Sequence, residues 1–69
     1  MEISARNVLK GKVKEVKPGT VNSEVVVELS GGEEIISIIT LESSQRLGLA
    51  RGKEVYAIIK ASSIMIGAD

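Results

Sequence analysis

The feature that most constrains the fold of this chain is its density of β-branched apolar residues. Isoleucine and valine together account for 17 of the 69 residues. Their branched side chains lose rotamer freedom in a helix and pack well on a pleated surface, so they favour strands. The length is enough for one small domain. The sequence therefore predicts a single, mostly β domain over residues 1–69.

Alternation of apolar and polar residues predicts the first two strands, and an isoleucine-rich run after a turn predicts the third. The segment "LKGKVKEV" alternates apolar residues with lysines, which indicates a strand with one solvated face. Val16 falls out of phase and indicates a bulge or the end of that strand. The segment "VNSEVVVELS" predicts a second strand, and "EIISIIT" follows the turn "SGGE" as a third. Because the third strand is apolar on both faces, we expect one face to pack on its own core and the other on another subunit.

The segment "TLESSQRLGLARG" interrupts the strand pattern and predicts one short helix. Thr40 is a suitable N-cap, Glu42 lies in the first turn, where the helix dipole favours an acid, and Gly48 suits the C′ position. The segments "KEVYAIIK" and "SSIMIG" predict two further strands joined by a tight turn around "KAS". The order β, β, β, α, β, β is that of an all-β, five-stranded OB-fold-like barrel with one short helix between strands three and four.

Composition excludes several classes of function. Nine basic residues balance nine acidic ones, so the net charge does not favour binding of nucleic acid. Tyr56 is the only aromatic residue, so the chain also lacks the aromatic side chains on which bases stack. No segment is typical of a signal peptide or a membrane span, so we expect a cytoplasmic protein with no membrane partner. The chain lacks histidine and cysteine, and its carboxylates are scattered. We therefore expect neither an enzyme nor a site with direct metal ligands.

The polar residues that interrupt the hydrophobic pattern are nearly all hydrogen-bond donors, and they fall in three segments. Ser4, Arg6 and Asn7 begin the first strand, "TLESS" begins the helix, and Lys60 with Ser62 lies in the last turn. In an OB-like barrel these segments can converge at one rim, or at a rim shared between subunits. A helix N-terminus offers free N–H groups, and the two cationic side chains add charge. Together they suit a small, doubly charged oxyanion.

Simpler structural roles remain open for the same residues. Thr40, Ser43 and Ser44 fit a helix cap that touches no ligand. Arg6 fits a surface residue paired with a glutamate, and Lys60 fits the solvated end of the fourth strand. The residues by themselves are therefore compatible with an anion site without requiring one.

Three segments together resemble the molbindins, the single-module members of the Mop family of molybdate-binding domains. They are "ISARNVLKGKV", "IISIITLESSQRLGLARGKEV" and "AIIKASSIMI", and the resemblance extends over essentially the whole chain. The "SARN" tetrad and the "TxESxxxLGL" spacing are its most specific parts. Modules of this family also occur in tandem in larger molybdate-binding proteins, in molybdate-responsive regulators and, in a similar form, on some transporter ATPases.

The resemblance implies a homohexamer, a trimer of dimers, that stores or buffers molybdate or tungstate at its subunit interfaces. Some relatives have a serine directly after the late lysine, where this chain has Ala61, so only the backbone N–H can donate there. The oxyanion-binding positions that the resemblance implies are Ser4, Ala5, Arg6, Asn7, Thr40, Ser43, Ser44, Lys60, Ala61 and Ser62.

Hydrogen-bond chemistry agrees with such a ligand. Molybdate is a fully deprotonated dianion at neutral pH, so a site made only of donors matches every oxygen, whereas hydrogenphosphate carries a proton that needs an acceptor. Sulfate has the same charge on a smaller tetrahedron, so only the size of the cavity can reject it.

The alternative interpretation is a regulatory or protein-interaction OB-like barrel without a ligand of its own.

Overall fold

The structure is a computed structural model that describes residues 1–69. It contains four strands, one α-helix and one short 3₁₀ helix. In chain order these are β1 (Asn7–Pro18), β2 (Asn22–Leu29), β3 (Glu34–Thr40), α1 (Leu41–Arg46), β4 (Glu54–Ile59) and the 3₁₀ helix (Ala61–Ser63). None of its helices combines the length and the apolar character needed to cross a bilayer.

The strands form one antiparallel sheet in the order β3-β2-β1-β4. Val13, Val25 and Val27 form the centre of the core. Ile39 of β3 and Val55 of β4 both pack against this cluster, although these strands are the two edges of the sheet. The sheet is therefore curled into a half-barrel, which confirms the predicted all-β, OB-like fold with a short helix between the third and fourth strands.

The irregularity predicted near Val16 is a β-bulge in β1. Val13 is paired with Val27 and Glu15 with Val26, so Lys14 is the extra residue. The bulge returns Val16 to the core, where it packs on the valine cluster. It also leaves Lys14 outside, where a hydrogen bond to Glu34 and the charge of that carboxylate raise the pKa of Lys14 above its ordinary value.

The core of one subunit is small. Only 7 of the 69 residues are buried, and just four of them, Val13, Val25, Val26 and Val27, have larger apolar side chains. On β3, Ile35 and Ile39 are half-buried on the concave face, whereas Ile36 and Ile38 on the convex face are each 62% exposed. The prediction that β3 is apolar on both faces, with one of them not covered by its own core, agrees with these exposures.

The predicted count of five strands differs from the four observed, because "SSIMIG" does not form a strand. Ala61–Ser63 is a 3₁₀ helix, and residues 64–69 have no regular secondary structure. Met65 and Ile66 are 93% and 89% exposed. Strand propensity is local, but a strand needs a neighbouring backbone to pair with. In this subunit the tail does not lie against an unpaired edge of the sheet.

Candidate functional site

Pairing of β1 with β4 places the "SARN" segment beside the turn that follows β4. Asn7 is paired with Ile59, so residues 4–6 and 60–62 extend beyond this pair at the same end of the sheet. They line one open depression of about 440 Å³. Two of the three donor segments identified in the sequence therefore lie together within one subunit. The lining residues are Ile3, Ser4, Ala5, Arg6, Ile58, Lys60, Ala61 and Ser62.

The depression carries two positive side chains and no carboxylate. Arg6 and Lys60 are both exposed, and neither forms an ion pair. Two lysines of the same sheet are paired across strands, since Lys17 lies 3.4 Å from Glu24 and Lys10 lies 3.6 Å from Glu54, whereas Lys12 forms no ion pair. Arg6 is therefore a surface residue, but it is not paired with a glutamate. Two like charges beside one depression favour an anion between them.

The turn after β4 adds backbone donors to these charges. Its hydrogen bonds run from the Ser63 N–H to the Lys60 carbonyl, at 2.9 Å, and from the Ile64 N–H to the Ala61 carbonyl, at 3.3 Å. The N–H groups of Ala61 and Ser62 come before the first of these bonds and have no backbone acceptor, as is usual in the first turn of a helix. Ala61 can therefore donate although it has no hydroxyl. The exposed Ser62 lies directly beside it.

The third donor segment lies at the opposite end of the sheet. Thr40 is paired with Asn22, and Ser23 is paired with Pro18, the last residue of β1. Asn7 begins β1 and Pro18 ends it, and these twelve residues span about 35 Å along the strand. A single subunit therefore does not bring Thr40 and Ser43 to the depression. A site that contains all three segments needs two subunits.

Thr40 caps α1 as predicted. Its Oγ1 accepts a hydrogen bond from the Ser43 N–H at 3.0 Å and donates one to Ser43 Oγ at 2.8 Å. Thr40 is exposed and Ser43 is half-buried, so both hydroxyls lie at the surface of the subunit. The cap therefore satisfies an N–H group of the first helical turn and leaves both hydroxyls at the surface.

Ser44 occupies a different environment from the other hydroxyls of this segment. It is 5% exposed, its Oγ donates to the Leu41 carbonyl at 2.8 Å, and it lies 3.0 Å from Ser23 Oγ. Ser23 is itself 1% exposed, so the pair fastens α1 to the beginning of β2 inside the protein. The interpretation of the sequence missed Ser23. Its signal was parity, because residue 23 shares a strand face with Val25 and Val27. Contact between Ser44 and an oxyanion stays a prediction.

No group of three or more histidine, cysteine, aspartate or glutamate side chains lies close enough together to hold a metal ion. The polar residues that line the depression supply hydroxyls, a guanidinium and an ammonium, and the turn after β4 supplies free N–H groups. Such groups donate hydrogen bonds and attract negative charge. The arrangement can therefore bind an anion through its oxygen atoms.

Comparison with known proteins identifies the family. The model of the TOBE domain matches residues 3–66. Molybdenum-pterin-binding protein 3 of Clostridium pasteurianum is 53% identical over 66 residues, which cover 96% of this chain and 97% of that protein. The solved structure of MopII from Clostridium pasteurianum has a TM-score of 0.93 at 51% identity and covers 97% of this chain and 100% of its own.

A third comparison concerns a longer protein. ModG, a cytoplasmic molybdate-binding protein crystallised with molybdate bound, has a TM-score of 0.85 at 54% identity, and the match covers 88% of this chain and 43% of ModG. The fold, the family model and the sequence similarity to small relatives, which extends over nearly the full length of both chains, agree with one another. The chain belongs to the TOBE domain family and, within it, to the Mop proteins that its sequence resembles.

Proposed function

We propose that this protein binds molybdate, and tungstate with it, at the interfaces between its subunits, and that it serves molybdenum storage or homeostasis in the cytoplasm. The observation that carries the proposal is the pair of cations without carboxylate partners, Arg6 and Lys60, beside one donor-lined depression. The structure of ModG, a relative crystallised with molybdate bound, supports the choice of ligand.

The donor set favours a fully deprotonated dianion. Ser4 and Ser62 supply hydroxyls, Arg6 and Lys60 supply charged donors, and the turn supplies free N–H groups. No carboxylate lines the depression to accept a proton from a ligand. Binding hydrogenphosphate there brings its O–H into a site without a charged acceptor, and an unsatisfied polar group costs about 1–3 kcal/mol. Phosphate is therefore expected to bind more weakly than molybdate.

The interface location follows from the separation of the three donor segments. The depression is open to solvent in one subunit, and Thr40 and Ser43 lie at the other end of β1. An exposed anion contact is screened by water and salt, so a second subunit that covers the depression strengthens it. We therefore propose that the complete site combines the depression of one subunit with donors of another, within a homohexamer built as a trimer of dimers.

A molybdenum-pterin complex is the second candidate ligand, because the name of the similar clostridial protein includes a pterin. A pterin is a flat heterocycle, which proteins hold by stacking on aromatic rings and by hydrogen bonds to its polar edge. The depression is lined by Ile3 and Ile58 as its larger apolar residues and contains no aromatic ring. Its chemistry therefore favours the bare oxyanion.

Calorimetry tests the choice of ligand. Titration of the unliganded protein is expected to show molybdate and tungstate binding with similar affinity, sulfate more weakly, and phosphate weakest of the four. A free pterin added in the same way is expected to give no heat of binding and no competition with molybdate. Equal affinity for all four anions would reduce the site to a nonspecific cationic patch, and pterin binding would move the assignment to the second candidate.

A further inference from the structure

α1 is attached to the sheet without a buried apolar side chain. It is six residues long, and a helix of this length needs tertiary contacts to hold its place. Leu41 is only half-buried, and Leu47, which follows the helix, is 52% exposed. Ser44 is the one buried residue of α1. The helix is therefore held mainly through polar contacts.

The buried contacts of α1 form one directed chain of hydrogen bonds. A serine hydroxyl carries a single proton. Ser44 Oγ donates its proton to the Leu41 carbonyl at 2.8 Å. In the 3.0 Å contact between the two serine hydroxyls, Ser44 Oγ therefore accepts and Ser23 Oγ donates. Both hydroxyls are satisfied inside the protein, which has no buried side-chain polar atom without a partner.

This chain of hydrogen bonds holds the neighbours of two surface hydroxyls of the proposed site. Leu41 follows Thr40, and Ser44 follows Ser43. The Leu41 N–H also donates to the Val21 carbonyl at 2.8 Å, so both polar backbone groups of Leu41 are held. Thr40 Oγ1 and Ser43 Oγ are 2.8 Å apart and remain at the surface. Interior hydrogen bonds therefore set the position of the backbone that carries these two hydroxyls.

A polar pair at this place fixes a geometry that an apolar pair leaves free. Ser23 shares its strand face with the buried Val25 and Val27, where a third valine would be the apolar alternative. Apolar contact is non-directional, whereas a hydrogen bond restricts both distance and angle. Binding groups have to be held within about 0.5 Å of their productive positions by neighbours whose own geometry is locked. A buried, hydrogen-bonded pair meets this requirement.

We propose that Ser23 and Ser44 are positioning residues of the molybdate site. Their hydrogen bond fixes α1, so that Thr40 and Ser43 present their hydroxyls in one arrangement to an oxyanion in the depression of a second subunit. This role rests on the proposed function, and it gives Ser44 an indirect part in place of direct contact with the ligand. The proton of Ser44 is already donated to Leu41, and the residue is 5% exposed.

Calorimetric titration of the unliganded, full-length protein with molybdate tests this role. Ser23→Ala and Ser44→Ala are each expected to lower the affinity about three- to tenfold, since each breaks the same chain of hydrogen bonds. The double variant is expected to lose no more than the weaker-binding single variant, because the two serines act as one unit. Loss in Ser44→Ala alone would mean direct contact with the anion, and losses that multiply in the double variant would mean two independent roles. Either result overturns the proposal.

Val13→Ala is the control for a general loss of stability. Val13 is 1% exposed in the valine core, and its truncation leaves a cavity that lowers the melting temperature. Its affinity for molybdate is expected to stay within about twofold of the parent. An equal loss of affinity in Val13→Ala would show that affinity follows stability rather than the position of α1, and would overturn the proposal. Circular dichroism and light scattering establish that each variant is folded and assembled.

The same titrations separate this role from the proposed function. Parent-like affinity in both serine variants overturns the positioning role alone. Absence of molybdate binding by the parent overturns the proposed function and the positioning role together.

Order parameters of the backbone amides in the unliganded parent provide a test that needs no variant. Residues 41–44 are expected to have values of about 0.85, as in rigid backbone, because the buried pair holds α1 before the anion binds. Values below about 0.6 that rise on addition of molybdate would mean that the ligand orders the helix, and would overturn the proposal.

Discussion

At the scale of single residues, the two unpaired cations carry the proposed function. Arg6 and Lys60 lie beside one depression without a carboxylate. If each donates a charge-assisted hydrogen bond to molybdate, replacing either by methionine is expected to remove about 1.5–3 kcal/mol of binding. That is a loss of affinity of about ten- to hundredfold in a calorimetric titration. Methionine retains much of the apolar stem, so the assembly is expected to persist.

Lys12→Met is the matched control for these two variants. Lys12 is exposed on β1 and forms no ion pair, but it lies away from the depression. Its replacement removes the same charge and is expected to leave the affinity for molybdate within about twofold of the parent, since a distant exposed charge is screened. Parent-like binding by both Arg6→Met and Lys60→Met would show that the depression is not the site.

At the scale of the elements, β1 organises the fold because it pairs with both β2 and β4. At Gly11 it is paired with Leu29 on one side and Val55 on the other. A Cβ atom at this position would lie 2.7 Å from the Glu28 carbonyl oxygen and 2.8 Å from Val27 Cγ1. Gly11→Ala is therefore expected to force a backbone shift and to destabilise the protein by about 1–3 kcal/mol. Thermal unfolding followed by circular dichroism measures this loss.

Lys12→Ala provides the comparison in the same strand. Its side chain is exposed, so its replacement is expected to change the free energy of unfolding by no more than about 0.5 kcal/mol. A melting temperature of Gly11→Ala that equals that of the parent would mean that β1 and β2 are not packed as closely as the structure shows.

At the scale of the whole molecule, a single chain has a small core and a large exposed apolar surface. A chain of this length buries only about 60% of the surface it exposes when unfolded. Here 7 of 69 residues are buried, while Ile36, Ile38, Tyr56 and Ile58 are between 43% and 62% exposed. We therefore expect a stable homohexamer with a dimer as its building block. Multi-angle light scattering and native mass spectrometry measure the assembly, and a monomer across micromolar concentrations would contradict both the hexamer and the shared site.

Local patterns in the sequence were enough to predict most of the elements. Alternation of apolar and polar residues located β1, β2 and β4, the isoleucine run after the glycine turn located β3, and the out-of-phase Val16 marked the bulge at Lys14. Thr40 signalled the beginning of α1, because capping depends on residues within one helical turn. The donor segments could be identified in the same way, since each consists of neighbouring residues. The sequence left two arrangements of these segments open: they converge at one rim of the barrel, or at a rim shared between subunits.

The tertiary structure alone decided which of these groups meet. Antiparallel pairing of β1 with β4 brings Arg6 to Lys60, and the length of β1 separates both from Thr40. By itself the sequence determined the four observed strands, the helix and the types of donor, because those depend on neighbours along the chain. Register and pairing involve residues distant in sequence, so only the folded chain shows the buried Ser23 beside Ser44 and a tail without a partner edge. The local sequence "SSIMIG" favours a strand, but no local pattern specifies the second backbone with which that strand would have to pair.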